Sequence, residues 1–145
     1  MPCKDTLIGP DKTVRDAIET IQSGGCQICL VIDKDGRLLG TVTDGDVRRG
    51  LLRGLRLEDP IKKVMHKEPH IVSSEADRAE ALAIMKRETL HQIPMVDAEG
   101  RVQGLYRIDD FETAGETREN WVVLMAGGLG SRLQPLTEDK PKPLL

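Results

Sequence analysis

The chain has 145 residues, a length that fits about one ordinary domain with a buried core of its own. It is 39% apolar and 31% charged, which is typical of a folded globular protein. Aromatic residues make up only 2% and the net charge is −3, so the composition argues against base stacking and against general attraction to nucleic acid or an anionic membrane. The chain has neither an apolar run of membrane-spanning length nor the apolar core of a signal peptide at its N-terminus. We therefore expect a cytoplasmic protein with no nucleic-acid or membrane partner.

The first predicted unit is β-α-β-β-α. Its helix begins at a capping pattern, Thr13 to Asp16, continues with apolar residues at helical spacing, and ends at Gly24. Glycine in the loop before the last strand favours a hairpin turn. The elements are, in chain order, a strand at residues 7–8, a helix at 13–24, strands at 28–32 and 37–43 joined by a turn at 33–36, and a helix that starts with aspartates.

A shift of 64 positions places this unit on a second copy of itself. Asp33, Gly36, Arg37, Gly40 and Asp46 fall on Asp97, Gly100, Arg101, Gly104 and Asp110, and Ala17, Ile18 and Ile21 fall on Ala81, Leu82 and Met85. Each copy of roughly 55 residues is marginal as an independent folder. We therefore expect the two copies to pack sheet against sheet.

The second copy predicts the same elements. Its helix is expected to start at a capping pattern from Ser74 to Asp77. The other elements are a strand at residues 71–72, strands at 93–96 and 101–107 joined by a turn at 97–100, and a short helix rich in aspartate.

The tandem repeat resembles a pair of cystathionine-β-synthase (CBS) domains, a regulatory module. The resemblance is carried by residues 40–46 and 104–110, in which a glycine, two strand residues and a hydroxyl position precede an aspartate. It covers about residues 3–112. It implies an α+β fold in which two β-α-β-β-α repeats, residues 1–60 and 61–112, pack about a pseudo-twofold axis. It also implies clefts that bind an adenine nucleotide: AMP, ADP or ATP.

Thr43 and Asp46 have a spacing that suits such a ligand. Thr43 ends a strand and Asp46 lies in the first turn of the next helix, so both can face one cleft. The resemblance implies that Asp46 and Asp110 bind ribose and that Thr43 binds phosphate. In the second copy Arg107 stands at the hydroxyl position, where it would either bind phosphate or fill the second cleft.

These residues also have a purely structural interpretation. An aspartate such as Asp46 at a helix start is commonly a cap, and Thr43 is then only the end of a strand. Arg48 and Arg49 either reach the phosphates of the ligand or form a solvated helix face. His70 either lines the base pocket or lies at the surface.

Cys26 and Cys29 form a single C-x-x-C pattern without a second pair. No histidine lies at ligand spacing from them, so a zinc or redox site has little support. We therefore expect small buried side chains and no metal site.

The character of the chain changes after residue 112. Residues 113–119 are polar and are expected to be a linker, and residues 121–126 form an apolar run typical of a buried parallel strand. The loop that follows contains Gly127, Gly128, Gly130 and Ser131. A strand followed by a glycine-rich loop presents backbone N–H groups to phosphate. Leu133 excludes the dinucleotide fingerprint, because it stands where that pattern requires its third glycine.

This second segment resembles the opening of sugar-1-phosphate nucleotidyltransferases, of which A-G-G-x-G-x-R-L-x-P-L-T followed by P-K-P-L is typical. All of these positions are present from Ala126 to Leu144. The resemblance implies that residues 120–145 begin an α/β nucleotidyltransferase domain whose loop binds a nucleoside triphosphate. Arg132 and Lys142 would neutralise the reacting phosphates, and Mg²⁺ would bind only in the full-length enzyme. The Ala-Gly-Gly form of the loop resembles that of mannose-1-phosphate guanylyltransferases more closely than that of uridylyltransferases. We expect no catalysis from this chain by itself, because its part of the site is incomplete.

Three hypotheses follow. The leading one is a CBS pair that senses an adenine nucleotide and regulates a following nucleotidyltransferase. The second makes the transferase the main activity, with the repeats as its support. The third makes the CBS pair a dimerisation element without a ligand. Because CBS pairs commonly associate two by two, the resemblance implies a homodimer in the first and third cases.

Overall fold

The computed structural model of the chain describes residues 4–112. The helices are α1 (Val14–Gly24), α2 (Asp44–Leu52), α3 (Arg78–Arg87) and α4 (Asp109–Glu112), with single 3₁₀ turns at Lys4–Thr6 and Ile61–Lys63. The strands are β1 (Leu7–Ile8), β2 (Ile28–Ile32), β3 (Leu38–Thr43), β4 (Val72–Ser73), β5 (Gln92–Val96) and β6 (Val102–Arg107). In the described residues, the strands form two three-stranded sheets, ordered β1-β2-β3 and β4-β5-β6, which confirms the predicted α+β architecture.

The two sheets have the same strand register. The first strand of each sheet is parallel to the second, and the second and third form an antiparallel hairpin. Val31 pairs with Gly40 in the first hairpin, and Met95 pairs with Gly104 in the second. Both hairpins shift register at the next residue of the strand. The 64-residue sequence repeat is therefore also a repeat of backbone hydrogen bonding.

Helix α1 begins as its capping pattern predicts. Asp16 accepts hydrogen bonds from the backbone N–H and hydroxyl of Thr13, at 2.8 and 2.9 Å, and the N–H of Asp16 donates to the Thr13 hydroxyl at 3.3 Å. Gly25, with φ of 62°, ends the helix in the left-handed conformation that glycine adopts at little cost. The backbone hydrogen bonds and the cap together hold the helix start in place.

Two predictions for the second copy are wrong by a few residues. Helix α3 does not start with a capping box at Ser74, because its N-cap is Asp77 and the Asp77 side chain caps no backbone N–H. The opening strand lies at Val72–Ser73 and not at residues 71–72, since Ile71 is 47% exposed and lies outside the ladder.

Each repeat has its own core, and a third cluster joins the two sheets. The first core includes Val14, Cys29 and Ile61, all completely buried. The partly buried aromatic pair Tyr106 and Phe111, whose ring centroids are 5.4 Å apart, packs against the core of the second repeat. The joining cluster consists of the buried residues Ile28, Leu30 and Leu105, with Leu7, Cys26, Leu38 and Val102 packed around them.

The two hairpin turns bond to each other symmetrically. The N–H of Leu38 donates to the carbonyl of Gly100, and the N–H of Val102 donates to the carbonyl of Gly36, both at 3.0 Å. The 64-residue shift converts one bond into the other, so the pair of repeats has the expected pseudo-twofold relation. These bonds fix how the sheets face each other.

The segment that connects the repeats returns across the first sheet. Thr41 and His66 exchange two backbone hydrogen bonds, of 3.0 and 2.9 Å. Gly40 permits this approach, because a methyl group on its Cα would lie 2.5 Å from the carbonyl oxygen of His66 and 2.6 Å from Cγ of Met65. The chain around His66 is thereby held close to the end of β3.

We predict that Gly40→Ala lowers the free energy of unfolding by about 1–3 kcal/mol, because the added methyl group collides with the carbonyl oxygen of His66 and with the Met65 side chain. Urea unfolding of the two proteins measures the difference. Gly45→Ala is the matched control, since its methyl group would meet the flexible end of Arg49 at 3.2 Å and make an ordinary contact with the Thr43 hydroxyl at 3.6 Å. Equal stability of Gly40→Ala and the original chain would contradict the proposed role of this contact.

Candidate functional site

A cavity of about 390 Å³, which we call cleft one, lies where β3 meets α2. Thr43 and Asp46 line it from the first repeat, as the sequence predicts. The opposite wall comes from the second repeat and includes Leu90, His91 and Pro94. Cleft one therefore exists only when both repeats are folded together.

Thr43 and Asp46 form a capping box with the geometry of the box at α1. Oδ2 of Asp46 accepts the backbone N–H of Thr43 at 2.9 Å and its hydroxyl at 2.7 Å. The N–H of Asp46 donates to the Thr43 hydroxyl at 3.3 Å. The hydrogen of the hydroxyl is thus directed to Asp46. Thr43 and Asp46 therefore do cap helix α2, as the structural interpretation predicts. A ligand must bind to hydrogen-bonding groups that this capping box does not use.

The second carboxylate oxygen of Asp46 belongs to an ion pair. Nη2 of Arg49 donates to Oδ1 of Asp46 at 2.6 Å, and the Arg49 side chain remains 61% exposed. Partial burial raises the pKa of Asp46, but the hydrogen bonds from Thr43 and Arg49 outweigh it and hold the pKa below its ordinary value. Cleft one therefore presents an ionised carboxylate with a guanidinium beside it.

The far wall of cleft one contains a strained residue. Thr89 has φ of 55°, a left-handed conformation that is rare for a β-branched side chain. The 64-residue shift places Thr89 on Gly25, which has φ of 62°. The backbone of the repeat thus requires this conformation, and the second copy adopts it without a glycine. The alignment of Thr89 with Gly25 is the signal in the sequence for this conformation, although no motif spacing predicts Thr89 or its neighbours as site residues.

Cleft two is the pseudo-symmetric cavity, and it is smaller, about 290 Å³. Its lining comes from both repeats and includes Cys26 of the first and Arg107 of the second. The N–H of Arg107 donates to Oδ2 of Asp110 at 3.0 Å, and its guanidinium donates to Oδ1 at 3.4 Å. The charge of Asp110 and then the neighbouring thiol of Cys26 raise the pKa of Arg107. Arg107 is thus bonded to Asp110 through both its backbone N–H and its guanidinium.

The remaining predicted residues divide into two groups. His70 and Arg49 line cleft one, whereas Arg48 is an exposed residue of α2 that does not line it. Gly127, Gly128, Gly130, Ser131, Arg132 and Lys142 lie outside the described residues, as do the linker at 113–119 and the segment at 120–145.

The cysteines offer little reactive chemistry. Burial raises the pKa of Cys29 to about 12, which keeps its thiol protonated at neutral pH. Within residues 4–112, no group of three or more His, Cys, Asp or Glu side chains is placed to hold a metal ion. None of the helices in this part of the chain is both long enough and apolar enough to cross a membrane.

The family model described as CBS domain matches residues 4–53 and again residues 61–114. The tandem CBS pair predicted from the repeat is therefore confirmed.

Two curated relatives match the same part of the chain. The arabinose 5-phosphate isomerase KdsD of Pseudomonas aeruginosa is 37% identical over 110 residues, which are 75% of this chain and 33% of that protein. An uncharacterized protein of Rickettsia prowazekii is 38% identical over 109 residues, 75% of this chain and 34% of that protein. The chain thus spans about a third of the length of these relatives.

Solved structures share the fold. A CBS domain protein from Pyrobaculum aerophilum complexed with AMP has a TM-score of 0.66 at 19% identity, over 72% of this chain and 81% of that one. The cytosolic domain of the Mg²⁺ channel MgtE in complex with ATP has a TM-score of 0.65 at 20% identity, over 76% of this chain and 44% of that one. These two likenesses concern the fold.

We predict that Asp46→Asn lowers the free energy of unfolding by about 1–2 kcal/mol at pH 7, because charged hydrogen bonds to Thr43 and Arg49 are lost. The folded pKa of Asp46 lies below its unfolded value of about 3.9, so this stabilisation is complete above that value. It is lost as the pH falls through the folded pKa. Urea unfolding of both proteins between pH 7 and pH 3 should show the difference shrinking.

Asp44→Asn is the control for that measurement. It removes the same charge from the same helix turn, but the Asp44 side chain is exposed and accepts no hydrogen bond within residues 4–112. A difference between the original chain and Asp46→Asn that is independent of pH would contradict the assignment of the effect to the ionised carboxylate.

Proposed function

Because the chain belongs to the CBS domain family, we propose that cleft one is a regulatory site for an adenine nucleotide: AMP, ADP or ATP. The observation that carries the proposal is that Asp46, Arg49 and a wall from the second repeat surround one cavity. The structures of similar fold in complex with AMP and with ATP support the choice of an adenine ligand.

The hydrogen-bonding groups that remain unused in the site suggest how such a ligand would bind. Oδ1 of Asp46 accepts one hydrogen bond from Arg49 and keeps a lone pair for a ribose hydroxyl. The guanidinium of Arg49 has N–H groups left for a phosphate. Leu90 and Pro94 offer apolar surface to the base. We therefore propose Asp46 for ribose, and Arg49 next to Thr43 for phosphate.

We propose that one cleft of the pair binds the ligand. Arg107 occupies the position of Thr43 and is held by Asp110 and Cys26 across the smaller cavity. The Arg107 side chain is 39% exposed against 61% for Arg49, so Arg107 is proposed to be the less accessible phosphate donor. Cleft two is accordingly proposed to be closed by its own side chain.

The enzyme that the module regulates is proposed to be a sugar-1-phosphate nucleotidyltransferase. The support is the signature from Ala126 to Leu144, with Arg132 and Lys142 as its phosphate-neutralising residues and Mg²⁺ supplied in the full-length enzyme. The relative named arabinose 5-phosphate isomerase matches over about a third of its length, which is consistent with a module attached to different catalytic domains.

A second candidate function is self-association without a ligand. Leu52 is 83% exposed and Leu51 40% exposed at the end of α2, which offers apolar surface to a second copy. The capping box at Thr43 also closely matches the box at Thr13, and such a box needs no ligand. A homodimer is proposed with either function.

We predict that AMP raises the thermal unfolding midpoint. A ligand that binds only the folded state adds roughly 2.7 kcal/mol to the free energy of unfolding when its concentration is a hundred times its Kd. Asp46→Asn should lose most of this gain. Asp16→Asn removes the corresponding carboxylate from the capping box at α1, which lies outside both clefts. This variant should keep the full increase in the midpoint with AMP. Differential scanning calorimetry with AMP, ADP, ATP and GTP provides the measurement. If no nucleotide shifts the midpoint, self-association is favoured, and sedimentation velocity then tests the dimer.

We predict that Arg107→Thr raises the stoichiometry of AMP binding from one to two per chain, because it removes the guanidinium proposed to close cleft two and restores the hydroxyl position. Isothermal titration calorimetry counts the sites. Arg101→Gln, an exposed arginine paired with Asp97 and Glu99, is the control and should leave the stoichiometry at one. Two sites in the original chain would show that Arg107 does not close the cleft.

A further inference from the structure

A second cavity opens beside cleft one, between α2 and the segment that connects the repeats. We call it the basic cavity; its volume is about 520 Å³. Asp46, Arg49 and His66 line both the basic cavity and cleft one. The two spaces are therefore neighbours that share one boundary, and a ligand in cleft one can extend past Arg49 into the basic cavity.

Positive side chains dominate the basic cavity. Arg49, Arg53 and Lys63 line it together with His66. Arg49 is paired with Asp46, and Lys63 is paired with Asp59 at 2.5 Å. The guanidinium of Arg53 has no hydrogen-bond or ion-pair partner within residues 4–112. The cavity therefore contains one positive charge more than its surroundings neutralise.

The surrounding sequence has the same bias. Residues 44–67 contain seven Lys and Arg against four Asp and Glu, in a chain whose net charge is −3. The rest of the chain is therefore the acidic part. A local excess of this kind, beside a cavity, is expected to concentrate anions there.

The walls of the basic cavity are fixed by close packing. Gly50 allows α2 to approach the connecting segment, because a methyl group on its Cα would lie 2.5 Å from Cγ1 of Val64. The carbonyl of Gly50 accepts the N–H of Leu55 at 3.1 Å, which sets the path of the chain after Arg53. The cationic side chains thus extend from backbone that is held in place.

The basic cavity has no counterpart in the sequence of the second copy. The 64-residue shift places Arg49 and Arg53 on Thr113 and Thr117. The positive charges are therefore particular to the first copy, whose cleft keeps the Thr43–Asp46 pattern.

We propose that the basic cavity binds the outer phosphates of the regulatory ligand, so that the ligand is a nucleoside di- or triphosphate in preference to a monophosphate. The inference rests on the proposed nucleotide site in cleft one and extends it. Cleft one holds the nucleoside, Arg49 lies at the shared boundary, and Arg53 and Lys63 pair with the outer phosphates. Guanidinium and ammonium groups are the side chains that bind phosphate best.

Isothermal titration calorimetry on the full chain tests the proposal, with AMP, ATP and inorganic tripolyphosphate as separate titrants. ATP is expected to bind roughly tenfold more tightly than AMP, the effect of about one additional charged hydrogen bond. Arg53→Gln should weaken ATP and tripolyphosphate roughly tenfold and leave AMP unchanged. Because the Arg53 side chain is exposed, the variant is expected to fold, and its thermal midpoint checks this.

Arg56→Gln is the matched control. It removes one positive charge from the same segment, but Arg56 is exposed and lines neither cavity. Equal effects of Arg53→Gln and Arg56→Gln would overturn the proposal, because they would reflect net charge and not the cavity. A change in Arg53→Gln alone also excludes binding at the glycine-rich loop of residues 127–131 as its source.

The outcomes separate this inference from the proposed function. Equal affinity for AMP and ATP, with no binding of tripolyphosphate, overturns the basic cavity and leaves the nucleotide site in cleft one intact. Binding of tripolyphosphate that Arg53→Gln weakens, with ATP bound no more tightly than tripolyphosphate and AMP not bound, supports the basic cavity and refutes the nucleotide site. Failure of all three titrants overturns both.

Discussion

Ile28, Leu30 and Leu105 form the contact through which the two sheets hold each other, and both clefts depend on it. All three side chains are less than 5% exposed, so separating the repeats would return this apolar surface to water. The reciprocal bonds of Leu38 and Val102 to the opposite turns prevent the sheets from sliding. Because the side chains of a strand alternate between its faces, a slip of one residue would turn the residues of the joining cluster away from each other. The clefts are thus a consequence of sheet packing and not of local loop structure.

The two repeats show how far a repeated backbone can diverge in chemistry. The N–H of Thr43 and the N–H of Arg107 donate to the matching aspartates at nearly the same distance, 2.9 and 3.0 Å. A hydroxyl at this position closes a compact capping box and leaves the cavity open. Arg107 at the same position lines the smaller cavity and pairs with Asp110. One side chain therefore makes the two clefts unequal, although the ladder around them is the same.

The repeat predicted most of the fold, because the features that fix it are local. Turn glycines set the hairpins, and the box from Thr13 to Asp16 sets the start of α1. The same kind of pattern failed at Ser74, where the hydroxyl of Ser73 accepts the N–H of Glu75 and forms a turn before the helix. Local hydrogen bonds of this kind compete with caps, and sequence alone does not decide which is formed.

The sequence predicts the candidate site mainly from the first repeat, and from the second repeat it offers only His70 for cleft one. Thr43 and Asp46 lie three residues apart, so the sequence itself predicts that they are close in space. The opposite wall, with Thr89 and Leu90, is more than forty positions away and reaches Asp46 only through the packing of the sheets. Lys63 approaches Arg53 because Gly50 and Val64 pack closely. Contacts between distant positions depend on tertiary structure, so motif spacing could not reveal them.

The net charge illustrates the same limit. A value of −3 argues against attraction to a large polyanion such as nucleic acid, whose many phosphates experience the field of the whole molecule. A small ligand in a cavity experiences mainly the charges within about 8–10 Å, because salt screens those further away. In the basic cavity these nearby groups are Arg49, Arg53 and Lys63 against Asp46 and the Asp59 that pairs with Lys63, whereas most of the acidic residues lie elsewhere in the chain. An acidic protein can therefore bind a small polyanion without binding a large one, and the location of the charges decides which.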